Sequence, residues 1–208
     1  MIAFFLTALS WAVPEGWELV SNKGGVESAR KTIPNSPLFA FRGRMLTDIP
    51  LAKLSSLLLD DKKGPEWVDL MNISYNIERK DEYTKIIRQG YDLPWPISDR
   101  DYVMKQVAHF DKENKTFTLS FSSSEHPKAP IYSCCIRAQT YRTYWKLRVL
   151  DNGRTQAEVE VYTDPKGSLP AWLINLIQQD WPYNTLTGLI KRVTKGDIRP
   201  SPEAKGWN

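Results

Sequence analysis

From Trp17 onward, apolar and polar residues alternate in short runs separated by turn-forming clusters, as half-buried strands require. Ser21-Asn22-Lys23-Gly24-Gly25 and Pro34-Asn35-Ser36-Pro37 are the first such clusters, and residues 38–45 form the clearest early run. The period then lengthens: Leu51, Leu54, Leu57 and Leu58 recur at helical spacing after Asp48-Ile49-Pro50. That predicts a helix capped by Thr47 or Asp48 and ending near residues 60–65, and then a short helix carrying Trp67, Leu70 and Met71. Alternation resumes through residues 73–77, 83–91, 102–110, 117–122, 131–138 and 141–150, and returns through Asn152-Gly153 into 157–161. Leu169, Trp172, Leu173, Leu176, Ile177, Leu186, Leu189, Ile190 and Val193 predict a long C-terminal helix, with Ser168 as its cap, Pro170 in its first turn and a kink at Pro182. These elements predict an α+β domain spanning residues 13–194, built on an antiparallel sheet with one apolar and one wet face. Residues 195–208 read as an irregular tail.

The 208 residues are 41% hydrophobic and 25% charged, which suits one folded domain and excludes a mainly disordered chain. Lys and Arg exceed Asp and Glu by 28 to 24, a surplus of +4 spread along the chain rather than gathered in the basic stripe that nucleic acid calls for. Eight Trp, nine Tyr and seven Phe call for either a very aromatic core or a lined cavity. Cys134 and Cys135 are adjacent, so on a strand they would point to opposite faces; both read as structural thiols, without metal-ligand spacing. Residues 1–12 are apolar and uncharged, too short to span a bilayer that needs about 20 residues. They read as the apolar part of a secretory signal, with Ser10 and Ala12 as small residues before a cut, or else as an N-terminal helix packed on the domain. A signal would make the protein secreted or periplasmic; without one it would be cytoplasmic.

Catalytic chemistry finds little support. The chain has no Gly-rich phosphate loop, zinc-protease helix motif or nucleophile elbow. His109 falls on the solvated phase of its strand and His126 precedes Pro127 in a loop. Arg100 between Asp99 and Asp101 suits an ion-paired turn, with Arg100 and Asp101 fixing it. No cofactor, metal or catalytic residue is assigned. Shape is more informative: a strongly curled sheet under one helix leaves a hollow suited to an apolar ligand. Gln106 falls in phase with Tyr102, Met104 and Phe110, where a buried amide needs a ligand or water as partner.

Several segments carry a resemblance: Trp17-Glu18-Leu19-Val20, Phe39-Ala40-Phe41-Arg42-Gly43, Leu58-Leu59-Asp60 and Glu66-Trp67 in the first third, Pro94-Trp95-Pro96-Ile97-Ser98-Asp99-Arg100-Asp101-Tyr102-Val103 in the middle, and Asp164-Pro165-Lys166-Gly167-Ser168-Leu169-Pro170-Ala171-Trp172-Leu173 near the end. In this order they resemble the START domain, the steroidogenic-acute-regulatory-related lipid-transfer family, from about Trp17 to Val193. The resemblance implies a helix-grip fold, in which a curved antiparallel sheet grips the C-terminal helix around a hydrophobic tunnel. It also implies binding and transfer of one lipid or sterol without chemistry. Sterol-handling relatives carry a cavity arginine at the position of Gln106, so this chain departs from that pattern; Arg137 matches a second family arginine.

Alternation supplies the candidate lining. Tyr102, Met104, Gln106 and Phe110 share one phase, and Phe117, Leu119 and Phe121 another. Trp145, Leu147 and Val149, then Val159 and Val161, continue the face, with Trp172, Leu176 and Ile177 as the lid. The expected partners are a lipid or sterol ligand and a transient membrane surface, with the chain a monomer. Two other readings compete: a cyclase- or hydrolase-type enzyme on the same architecture, and a cavity-free interaction domain.

Overall fold

The computed structural model describes residues 13–208; the stretch read as a signal or N-terminal helix, residues 1–12, lies outside them. Along the described chain run β1 (Glu18–Lys23), β2 (Val26–Thr32), β3 (Phe39–Thr47), α1 (Leu51–Leu59) and a 3-10 helix (Asp61–Glu66). Then come β4 (Met71–Arg79), β5 (Thr84–Tyr91), β6 (Asp99–Asp111), β7 (Thr116–Ser123), β8 (Cys135–Arg137), β9 (Gln139–Val149) and β10 (Thr155–Asp164). α2 (Ala171–Gln179), α3 (Trp181–Val193) and a 3-10 turn (Pro202–Ala204) complete it. The strands form one sheet in the order β1-β2-β3-β10-β9-β7-β6-β5-β4. Every neighbouring pair along that path is antiparallel, and β8 alone among the described strands runs parallel, against the start of β6.

The predicted long helix is two helices. It breaks at Asp180, and Pro182 occupies the first turn of α3, where its missing N–H costs nothing. Pro170, not Ser168, is the N-cap residue of α2. The predicted helix around Trp67 is instead the 3-10 helix before it, with Pro65 inside and Met71 already opening β4. Neither Thr47 nor Asp48 caps α1; the first N–H of that helix, on Leu51, donates to Asn208 Oδ1 at 2.8 Å. The tail is therefore structural: Ser201 N–H donates to Ala52 O, Arg192 holds both Asp197 oxygens, and Trp207 is buried against the core.

The sheet has the expected two faces. On the inner face, Val26, Phe117, Leu147, Ala157 and Val159 pack on Leu51, Leu54 and Leu57 of α1 and on Leu186 and Leu189 of α3. Each fully buried Leu contributes about 1.5–3 kcal/mol. The outer face of β2, β3, β10 and β9 is laced by cross-strand polar pairs: Glu27–Arg44 at 2.8 Å, Arg42–Glu158, and Tyr144 Oη on Glu160 at 2.9 Å. Such pairs explain how Glu158 and Glu160 can be buried on a face that reads as wet.

Cys134 and Cys135 form a vicinal disulfide, contrary to the expectation of two separate thiols. Cys134 lies in the turn before β8, so the opposite-face geometry of strand neighbours does not apply to it.

One contact fixes how closely helix and sheet approach. A Cβ added to Gly188 on α3 would lie 2.2 Å from the Trp67 carbonyl oxygen, a backbone atom that cannot rotate away. Gly188→Ala is expected to lower the unfolding free energy by about 1–3 kcal/mol in urea denaturation. Unchanged stability would mean that the Trp67 segment can recede at no cost.

Candidate functional site

Between the inner face of the sheet and the helices lies a cavity of about 140 Å³. Eight of the residues expected to line it do so: Tyr102, Met104 and Gln106 from β6, Leu119 and Phe121 from β7, Trp145 from β9, Val161 from β10 and Ile177 from α2. Five others, Phe110, Phe117, Leu147, Val149 and Val159, lie in the packed core instead. Their inward phase is right, but α1, α3 and the tail fill that end: Phe110 stacks on Phe117 at 4.7 Å and on Trp207 at 6.2 Å. Trp172 and Leu176 are corrected outright. They are 68% and 57% exposed on the outer side of α2, while Ile174, Ile177 and Gln178 face inward. Both sides of α2 are apolar, so spacing alone could not tell lid from surface.

Alternation missed the rest of the wall. Leu57 and Leu58 enter from α1, Trp67 from just after the 3-10 helix, Tyr91 from β5 and Thr185 from α3. The Leu stripe was visible as buried helix. Nothing in the sequence marks Thr185 or Ser74 of β4 as wall residues.

The cavity has two chemically different ends. At the end under α2, Arg100 lines the wall, but its guanidinium donates to the carbonyls of Pro165 at 2.6 Å, Lys166 at 3.1 Å and Ser98. It pins the segment leading into α2. Near Arg100, the Tyr91 and Tyr102 rings meet edge to face at 5.5 Å. Burial pushes the Tyr102 phenol up to about 12 and drives that of Tyr91 upward as well, so both stay neutral. At the far end, Asp61 pairs with Lys85 at 2.6 Å, and the same ammonium donates to Leu59 O at 2.9 Å. Burial raises the Asp61 pKa, with Lys85 opposing it.

Four side chains on the wall hold buried polar atoms that find no hydrogen-bond partner among the described residues: Trp67 Nε1, Ser74 Oγ, Thr185 Oγ1 and both amide atoms of Gln106. An unpaired buried group costs about 1–3 kcal/mol. His109 is exposed and His126 sits against Glu78 at 2.9 Å, neither of them on this wall.

The expected Arg100–Asp101 pair does not form, because neighbours on β6 point to opposite faces. Asp101, 1% exposed, instead receives Arg88 at 3.0 Å and Arg137 at 2.9 and 3.0 Å on the outer side of the sheet. Arg137 also holds Ala129 O and Pro130 O, fastening the loop before β8.

Comparison with known proteins agrees with this architecture. The sequence profile described as the START domain matches residues 12–180. The chain belongs to the START domain family. An uncharacterized protein, PA1579 of Pseudomonas aeruginosa, is 29% identical over 184 residues, covering 86% of this chain and 87% of that one. The phosphatidylcholine transfer protein of Bos taurus is 26% identical over 181 residues, 84% of this chain and 83% of its own. In structure, human STARD10 superposes with a TM-score of 0.80 at 21% identity, covering 89% of this chain and 76% of that one, a likeness of fold. The sheet, the C-terminal helices and the cavity between them are thus the helix-grip arrangement of START domains, as the resemblance implied.

Asp101→Asn leaves two arginines at that buried junction without their carboxylate. The substitution is expected to cost about 3–5 kcal/mol in chemical denaturation. A loss below about 1 kcal/mol would mean that both guanidinium groups reach water instead.

Proposed function

We propose that this START domain takes up one lipid, sterol or similarly apolar molecule in its cavity and carries it between membranes without altering it. The observation that carries this reading is the wall itself: apolar and aromatic side chains from six strands and three helices converge on one hollow and make most of its surface apolar. The name of the bovine relative, a phosphatidylcholine transfer protein, supports lipid transfer as the class of activity.

Uptake needs an opening, and α2 is the element suited to provide it. Its inner side lines the cavity, it breaks from α3 at Asp180, and it is tied down through two side chains: Gln178 donates to Thr163 Oγ1 at 3.1 Å and Thr163 O at 3.5 Å, and Asn175 bridges Phe39 N–H and Pro37 O at 3.0 Å each. Trp172 and Leu176 on its outer side, with Trp95 in the loop whose Leu93 lines the cavity, give this end an apolar face toward a bilayer. The carrier works as a monomer that touches the membrane only during exchange. Should residues 1–12 direct export, exchange takes place outside the cytoplasm; N-terminal sequencing of the mature protein, starting at Val13 or not, decides that point.

Native mass spectrometry of the purified protein is expected to show one lipid per chain, either copurified or taken from a mixed panel of membrane lipids. Failure to take up any lipid would remove the carrier reading. Trp172→Ser with Leu176→Ser is expected to slow transfer between vesicles about tenfold while leaving lipid binding and the melting temperature near those of the parent. Equal transfer rates would detach α2 from membrane docking.

A further inference from the structure

The unpaired polar groups of the cavity specify more about its occupant than the apolar wall does. Trp67 Nε1 can only donate a hydrogen bond, so it needs an acceptor from the ligand. Gln106 Oε1 can only accept, so it needs a donor. The Gln106 amide nitrogen can only donate and so needs an acceptor as well, while the Ser74 and Thr185 hydroxyls adapt to whatever the others leave.

Their placement gathers them at the end away from α2. Thr185 lies one turn before Gly188, which abuts the Trp67 backbone, and the Trp67 ring meets Trp145 at 5.7 Å. Ser74 lies beside Gly64, within the 3-10 helix that leads into Trp67. Gln106 pairs in register with Lys85, whose ammonium reaches back to Asp61 at the start of that same helix.

Charge at the wall argues against a phosphate there. Among the described residues lining the cavity, the basic side chain is Arg100, at the other end and already donating to three carbonyls. The acidic ones are Asp60 and Asp61, and the nearby Lys85 is held by Asp61 and Leu59 O. A phosphodiester brought to this end would lose its water, face carboxylates and find no unspent cation. A hydroxyl or a secondary amide supplies one donor and one acceptor and carries no charge.

We infer that the occupant is an uncharged lipid whose polar end bears a hydroxyl or secondary amide, seated on Gln106, Thr185, Ser74 and Trp67, as a diacylglycerol, a ceramide or a sterol would be. The inference rests on the carrier reading above and names its cargo class.

The test is a competition. The lipid-free protein is offered vesicles containing equal amounts of dioleoylglycerol, N-palmitoyl ceramide, cholesterol and dioleoylphosphatidylcholine, and native mass spectrometry reads which mass it carries. One of the three hydroxyl lipids is expected to be bound at least about tenfold in preference to the phosphatidylcholine. Preferential loading with phosphatidylcholine would overturn this inference and leave the carrier reading standing; no loading from any of the four would remove both. Gln106→Leu and Thr185→Val each replace an unpaired polar group by an apolar one of similar size. Each is expected to weaken binding of the preferred lipid about tenfold while the melting temperature of the lipid-free protein stays level or rises. Unchanged affinity in both variants would overturn the assignment of the seat.

Discussion

A sheet of this breadth, apolar on one side, presents more surface than three short helices can cover in direct contact, and most of the molecule follows from how that mismatch is resolved. At one end, α1, α3 and the C-terminal tail press onto β2, β3, β10, β9 and β7 and exclude all space. The approach is close enough that Gly188 meets the Trp67 backbone with no room for a methyl group. At the other end α2 is displaced outward by the break at Asp180, and the hollow beneath it is the cavity. Packed core and cavity are thus two ends of one interface.

The charged residues divide along the same line. On the outer face they pair across strands, as in Glu27–Arg44 and in the junction of Arg88, Asp101 and Arg137, where every charge has a partner. Around the cavity the basic groups are spent on holding the frame: Arg100 fastens the segment before α2, and Lys85 joins β5 to the end of α1. The buried polar atoms left unpaired on the wall, on Trp67, Ser74, Gln106 and Thr185, are all neutral hydrogen-bonding groups.

Much of this was legible in the chain. Period-two alternation located most of the strands, the Leu spacing located α1, and six spaced segments carried the family resemblance over nearly its whole length. The inward phase of β6 placed Tyr102, Met104 and Gln106 on the cavity wall because strand geometry leaves only two choices of face. Errors arose where that choice is not binary. α2 carries apolar residues on both sides, so Trp172 and Leu176 could not be distinguished from Ile174 and Ile177. Phe110, Phe117 and Leu147 face inward like the wall residues, but they meet α1 and the tail rather than empty space. The partner of Asp101 was misread because Arg88 and Arg137 lie 13 and 36 residues away.

By itself, the sequence determined which residues turn inward on each strand and the class of each main element, since local periodicity and short-range turn chemistry are written in neighbouring residues; the helix-grip fold came from the resemblance of its spaced segments to START domains. Only the tertiary structure decided where the inner face is filled and where it is hollow, which side of α2 meets the solvent, and that Trp67, Ser74, Gln106 and Thr185 converge unpaired on one end. Those outcomes depend on distances between segments far apart in the chain, and a void exists only where several packed elements together fail to meet.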